Sequence, residues 1–147
     1  MQICQYIQDS SPPAIRKILD GYDIVIGSRW AKDSKVIRSA TRKLLSLGYN
    51  VIMNTLFLTG IRDHQCGFKA FNLETTRDIL LSTIDNKWFW DTEVLVRAKR
   101  AGLKIYEMPV EWIESPRDSK VSVWRDTTEM LMSAIKFRIK LWREKNE

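Results

Sequence analysis

Apolar and polar positions follow two rhythms along this chain, and the switches between them mark out its elements. Ile15, Ile18 and Leu19 fall at helical spacing behind Ser11-Pro12-Pro13, where serine caps a helix and proline is tolerated in the first turn. Gly21 stands where a glycine commonly ends such a helix. Asp23 to Gly27 reads DIVIG, a short β-branched run of the kind a buried strand carries. Ser28 to Arg38 is polar and basic and reads as a loop. A long helix is predicted from Ser39 to Leu58, stopping at Gly60. Gly67 to Phe71 reads as a strand, and Asn72 is placed to cap a helix carrying Ile79, Leu80 and Leu81. Asp91 is placed to cap a further helix that ends at Gly102, with Glu93 in its first turn, where the helix dipole favours acids. Leu103 to Ile113 reads as a strand with Pro109 inside it, which predicts an edge strand or a bulge. Residues 115–120 read as a polar loop before a last helix over 125–144.

That last helix sets Trp124, Thr128, Leu131, Ile135, Ile139 and Trp142 on one face and Lys136, Lys140 and Arg143 on another. Such a basic amphipathic helix suits a membrane surface, and equally a stripe packed on its own domain. Between Leu44 and Ile61 there is no charged residue, yet Ser46, Gly48, Asn50, Asn54, Thr55 and Thr59 interrupt the run. A spanning helix takes about 20 mostly apolar residues, so this stretch reads as a buried or interface-lying helix. Alternating strands and helices predict an α/β layer architecture.

Composition narrows the function classes. The 147 residues suffice for one domain with a core of its own. Contents of 44% hydrophobic and 29% charged residues exclude a disordered chain. A net charge of +6 points to phosphates, whether in nucleic acid, lipid headgroups or a phosphorylated substrate. No nucleic-acid-binding motif is readable, so no nucleic-acid partner is expected. Six tryptophans suit a boundary between wet and dry surroundings. Cys4 and Cys66 make neither a disulfide framework nor a zinc pattern, which fits a reducing, cytosolic setting. Cys66 has only His64 beside it and reads as a buried structural thiol. The first residues carry no leader pattern.

Five blocks occur in order: GYDIVIGSRW (21–30), DHQCGFKAF (63–71), WFWDTEVLVRAKRAG (88–102), IYEMPVEW (105–112) and DSK (118–120). Together they resemble, over residues 10–142, family-2 glycosyltransferases, among them the dolichyl-phosphate glucosyltransferases and, as a near alternative, the mannosyltransferases. The resemblance implies a partial GT-A fold, a Rossmann-like nucleotide-diphospho-sugar transferase without its N-terminal nucleotide-binding half. Residues 1–123 are then the acceptor-side part and 124–147 a basic, membrane-proximal amphipathic helix. The implied reaction is inverting transfer of a hexose from a nucleotide sugar of the UDP-glucose or GDP-mannose type to a polyprenyl or dolichyl phosphate, with the donor half supplied from elsewhere. The setting is peripheral, on the cytosolic membrane face. The complete family enzyme is expected to use Mg²⁺ or Mn²⁺ at an acidic pair. Here the corresponding stretch reads Gln5-Tyr6-Ile7-Gln8-Asp9, so Asp9 alone remains as a metal-ligand candidate, and such ions prefer several hard oxygens. A non-catalytic, degenerate module that docks on membrane or a partner is the alternative.

A phosphate monoester has its second pKa near ~6, so the acceptor is already an anionic nucleophile and needs cationic positioning more than a base. By the resemblance, Arg29, Arg42 and Ser46 are acceptor-phosphate ligands, and Arg117 and Lys120 sit in a loop that closes over the site; arginine forks suit phosphate oxygens. Asp63 faces the donor–acceptor junction or ends a turn. Asp91 and Glu93 orient the sugar or the basic residues, with helix capping by Asp91 as the plain alternative. Gly67 is expected to allow a close approach or an unusual dihedral. Trp88, Phe89, Trp90 and Trp112 line a sugar or lipid pocket or pack the core. An uncovered sheet edge predicts a homo-oligomer or a partner chain.

Overall fold

The computed structural model of the chain describes residues 12–113 and 123–146. In order these form α1 (12–19), β1 (Ile24–Ser28), β2 (Lys35–Ile37), α2 (Ala40–Phe57), β3 (Lys69–Phe71), α3 (Leu73–Ser82), α4 (Trp90–Arg100), β4 (Ile105–Pro109), β5 (Glu111–Ile113) and α5 (Val123–Asn146). The architecture is mixed α/β. β1 is the middle strand of a three-stranded sheet, antiparallel to β3 and parallel to β4. β2 and β5 make a separate parallel pair.

β1 is apolar up to its last residue, Ser28, because both of its faces are covered and all five residues are buried. Ile24 and Ile26 pack against Val94, Leu95 and Ala98 of α4, while Val25, pointing the other way, meets Ala14 of α1 with Cys66, Phe68 and Met108. A Cβ on Gly27 would come within 2.6 Å of Val110 and 2.8 Å of the Cys66 sulfur, so only glycine lets the strand lie this close to its neighbours. A third cluster joins α2, α4 and α5 through Tyr49, Met53, Phe89, Val96, Met130, Ala134, Phe137 and Leu141. α4 therefore serves two cores and is buried on opposite sides.

Several local expectations hold. Asn72 caps α3 by accepting from the Glu74 amide, and α2 starts where expected, with Ser39 as a cap that accepts from the Arg42 amide. Gly21 and Gly102 adopt positive φ, and β4 is an edge strand. Others shift. α1 turns Ala14 and Ile18 inward and leaves Ile15 and Leu19 exposed. The 28–38 segment contains β2, and the 103–113 strand breaks at Val110 into β4 and β5. Ser34 makes that junction: its hydroxyl donates to Ser28 O at 2.7 Å and accepts from the Val110 amide at 3.1 Å. Asp91 does not cap α4; the N-cap is Phe89 and no side chain bonds there. α2, by contrast, ends where expected, with Leu58 as its C-cap in the left-handed region and Gly60 at positive φ just beyond. On α5 the inward stripe is Met130, Ala134, Phe137 and Leu141, so Ile135, Ile139 and Trp142 of the expected stripe stay exposed. Among the described residues no helix is long and apolar enough to cross a membrane.

Candidate functional site

Arg29 leaves the C-terminal end of β1, where open α/β sheets bind ligands. Asp63 fixes it: the Arg29 Nε donates to Oδ2 at 2.7 Å, Nη2 to Oδ1 at 2.8 Å and the Arg29 amide to Oδ2 at 3.0 Å. The Arg29 side chain is 10% exposed and that of Asp63 0%, so the fork is desolvated, bidentate and held in one orientation. Nη2 also points at the Ser46 hydroxyl, 3.5 Å away on α2.

The turn that presents Asp63 is held from two sides. From β4, a Glu107 carboxylate oxygen accepts the amides of Arg62 at 2.9 Å and Asp63 at 3.2 Å. Burial raises the Glu107 pKa, opposed by the bond from the Arg62 amide. From α2, the Asn50 carbonyl oxygen accepts the His64 amide at 3.0 Å and faces His64 Nδ1 at 3.0 Å. Burial brings the His64 pKa down to about 4, against the pull of the Asp63 charge. The Cys66 thiol is pushed up by burial, as suits a core thiol without a nucleophilic task.

An open cavity of about 390 Å³ lies in front of Arg29. Arg38, Arg42 and Ser46 line it with Arg29, as do the apolar side chains of Leu45, Trp88, Trp112 and Met130. Asp91 lines it too and pairs with Lys69 at 2.9 Å. Of the expected phosphate ligands the structure thus gathers Arg29, Arg42 and Ser46; Arg117, Lys120 and the metal candidate Asp9 lie outside the described residues. Asp63 is not in the cavity wall and stands behind Arg29. Glu93 is also displaced from its expected place. Its buried carboxylate accepts the amides of Ile84 at 3.2 Å and Asp85 at 2.9 Å and pairs with Arg97 at 2.8 Å, so it is consumed in closing the turn before α4.

Trp88 and Trp112 line the cavity, whereas Phe89 and Trp90 pack the cores. Gly67 has no positive φ, so no unusual dihedral requires it; no protein atom lies near an added Cβ, and the residue lines the cavity. Sequence reasoning missed Arg38, although its spacing of four from Arg42, itself four from Ser46, was readable. It also missed Asn50 and Glu107, which no local pattern connects to Asp63. Among the described residues no group of three His, Cys, Asp or Glu stands together as a metal site, and Asp63, Asp91 and Glu93 are each engaged by a cationic side chain. These residues do not fit Mg²⁺ or Mn²⁺.

No family model matches the chain. Individual relatives do. Glycosyltransferase AglD of Haloferax volcanii is 45% identical over 109 residues, which cover 74% of this chain and 17% of that protein. Dolichyl-phosphate beta-glucosyltransferase ALG5A of Trichomonas vaginalis is 38% identical over 122 residues, 82% of this chain and 38% of its own length. The human dolichyl-phosphate beta-glucosyltransferase is 32% identical over 125 residues, 82% of this chain and 39% of its own length. The chain therefore spans less than two fifths of the length of these relatives.

Proposed function

Because this chain is, over most of its length, a homologue of named glycosyltransferases that include dolichyl-phosphate β-glucosyltransferases, we propose that it forms the acceptor side of an inverting, GT-A-type hexosyltransferase acting on a polyprenyl or dolichyl phosphate. The observation that carries the reading is the cavity that Arg29, Arg38, Arg42 and Ser46 line together with Trp88, Trp112 and Met130. Arginines suit a phosphate dianion and apolar side chains suit the first units of a prenyl chain. Asp63 orients Arg29 and does not act as a base. The phosphate needs none: its oxygen attacks the anomeric carbon, the new C–O bond forms as the old one breaks, and the nucleoside diphosphate leaves with the electron pair. The arginines hold the attacking oxygen in line.

Donor binding and the divalent cation belong, in this proposal, to a part outside these residues. Ile135, Ile139 and Trp142 on α5, exposed beside Lys136 and Arg143, rest on the lipid surface that holds the acceptor. The test is titration of the chain with farnesyl phosphate and with farnesol in micelles. The phosphate is expected to bind and the alcohol to bind at least about tenfold more weakly, with Arg42→Ala erasing most of the difference, since a charged hydrogen bond contributes about 1.5–3 kcal/mol. Equal binding of the two ligands overturns the reading. UDP-glucose with Mn²⁺ is expected to give no heat with this chain alone, and glucose transfer to appear only when a donor-binding half is added.

A further inference from the structure

Beyond that reading, and resting on it, we infer that His64 is a positioning residue for the acceptor phosphate: its neutral ring, carrying its proton on Nδ1, ties the Asp63 turn to α2 through Asn50 and thereby fixes the Arg29 guanidinium. The contacts close a ring. Arg29 is held by Asp63, the backbone leads on to His64, His64 meets Asn50, the Asn50 amide donates to Ser46 O at 2.9 Å, and the Ser46 hydroxyl faces Arg29 Nη2. Two proposed phosphate ligands, Arg29 and Ser46, are thus joined through one fully buried imidazole.

The proton's place follows from counting donors and acceptors. Asn50 spends its amide nitrogen on Ser46 O, so the atom facing His64 is its carbonyl oxygen, which only accepts. Nδ1 therefore carries the proton. In the neutral ring Nε2 is then an acceptor, and its neighbour is the Thr59 hydroxyl at 2.9 Å. That hydroxyl has one proton and two takers, because the Asn54 carbonyl oxygen also lies at 2.9 Å, with Asn54 held in place by its bond to Ile61 O at 2.7 Å. Adding a proton to Nε2 would send the hydroxyl to Asn54 and satisfy every partner, but it would put a cation in a site without exposure. Asp63, itself paired with Arg29, favours that cation, while Lys69 opposes it. α2 offers only the uncharged Asn50 and Asn54, and Glu107 holds the turn from β4 through its amides. Neutrality with a fixed tautomer is the state that keeps the Asp63 turn in register.

His64 is the chain's single histidine, so ¹⁵N-histidine labelling of the full chain yields one imidazole and reads the tautomer directly. At pH 7 the Nδ1–H form is expected, with ring shifts that move on adding farnesyl phosphate and stay put on adding farnesol. An Nε2–H ring or an imidazolium at pH 7 overturns the inference, whatever the variants do. His64→Leu is expected to weaken farnesyl phosphate binding about tenfold, the worth of roughly one hydrogen bond at the upper end. His64→Asn, whose amide nitrogen occupies the place of Nδ1, is expected to restore binding to within about threefold, a rescue that loss of core volume alone would not give. Discrimination between phosphate and alcohol that persists unchanged in a folded His64→Leu chain defeats this inference alone. Absence of discrimination in the wild type defeats the reading of the site, and this inference with it.

Discussion

α2 and α4 contribute to one core and are built in opposite senses. α4 buries Val94, Leu95, Val96 and Ala98, and the carboxylate it buries, Glu93, is spent on backbone amides and Arg97. α2 buries Ser46, Tyr49, Asn50 and Met53, while Leu44, Leu47, Val51 and Ile52 face outward with at least 40% exposure each. A helix that only filled a core would be the other way round. Buried polar groups are tolerated where each finds a partner; Tyr49 bonds Thr92 of α4, while the partners of Ser46 and Asn50 lead to Arg29. The difference assigns α4 to stability and the inner face of α2 to the site. It leaves the outer face of α2 as surface that water does not favour.

The largest effect is expected at the carboxylate shared by both roles. Asp63→Ala strands Arg29, and breaking a buried pair from one side costs about 3–5 kcal/mol. Urea unfolding should show that loss, and farnesyl phosphate binding should vanish even where the chain remains folded. Stability lost with binding intact would place Asp63 in the α4 class of purely structural carboxylates.

Acid should act next through His64. Burial lowers its folded pKa to about 4, below the ordinary 6.5 that the unfolded chain regains. Below 6.5 the unfolded state takes the proton first. The contribution is therefore complete above pH 6.5 and falls away towards pH 4, amounting to about 3 kcal/mol at 1.36 kcal/mol per unit. Carboxylates titrate in the lower part of this window, so the reading is the difference in slope between the wild type and His64→Asn in pH-dependent unfolding. Equal slopes would show that the ring titrates as if solvated.

Glu93→Gln sharpens the contrast between the helices. It keeps the shape but weakens the bonds to Ile84, Asp85 and Arg97, at a cost of about 1–3 kcal/mol. Farnesyl phosphate affinity should not change, because Glu93 has no part in the cavity wall. A selective loss of affinity without loss of stability would return Glu93 to the site.

How far all this was legible in the sequence follows the same division. Local signals were read well: DIVIG as the buried strand, Asn72 as a cap and Ser39 as the start of α2. Arg29, Arg42 and Ser46, grouped by the family resemblance, line one cavity. What pairs at long range was not. β2 finds its partner in β5, with Lys35 opposite Glu111, and nothing near residue 35 announces it. Asn50 meets His64 across a turn, and Glu107 meets Asp63 from another strand. Asp91 looked like a cap because its residue type fits one, but the helix had already begun at Trp90, and Lys69 from β3 takes its charge. On α5 two stripes lay one helical step apart, and only the packed core decided that Met130, Ala134, Phe137 and Leu141 face inward.

The smallest change in stability is expected where the outer face of α2 is altered. Val51→Ser with Ile52→Ser removes two exposed apolar side chains that hold no core contact in the α2, α4 and α5 cluster, so each should move stability by no more than about 0.5 kcal/mol. If this face lies on lipid, each side chain withdrawn from it loses roughly 1 kcal/mol of apolar contact, and the pair should weaken partition into anionic vesicles by about tenfold or more. Sedimentation with vesicles measures that directly, and gel filtration of the same variant gives the control. Unchanged partition with a smaller assembly would mean that another protein surface covers the outer face. α2 would then carry its polar side to the acceptor and its apolar side to a protein partner instead of to the membrane.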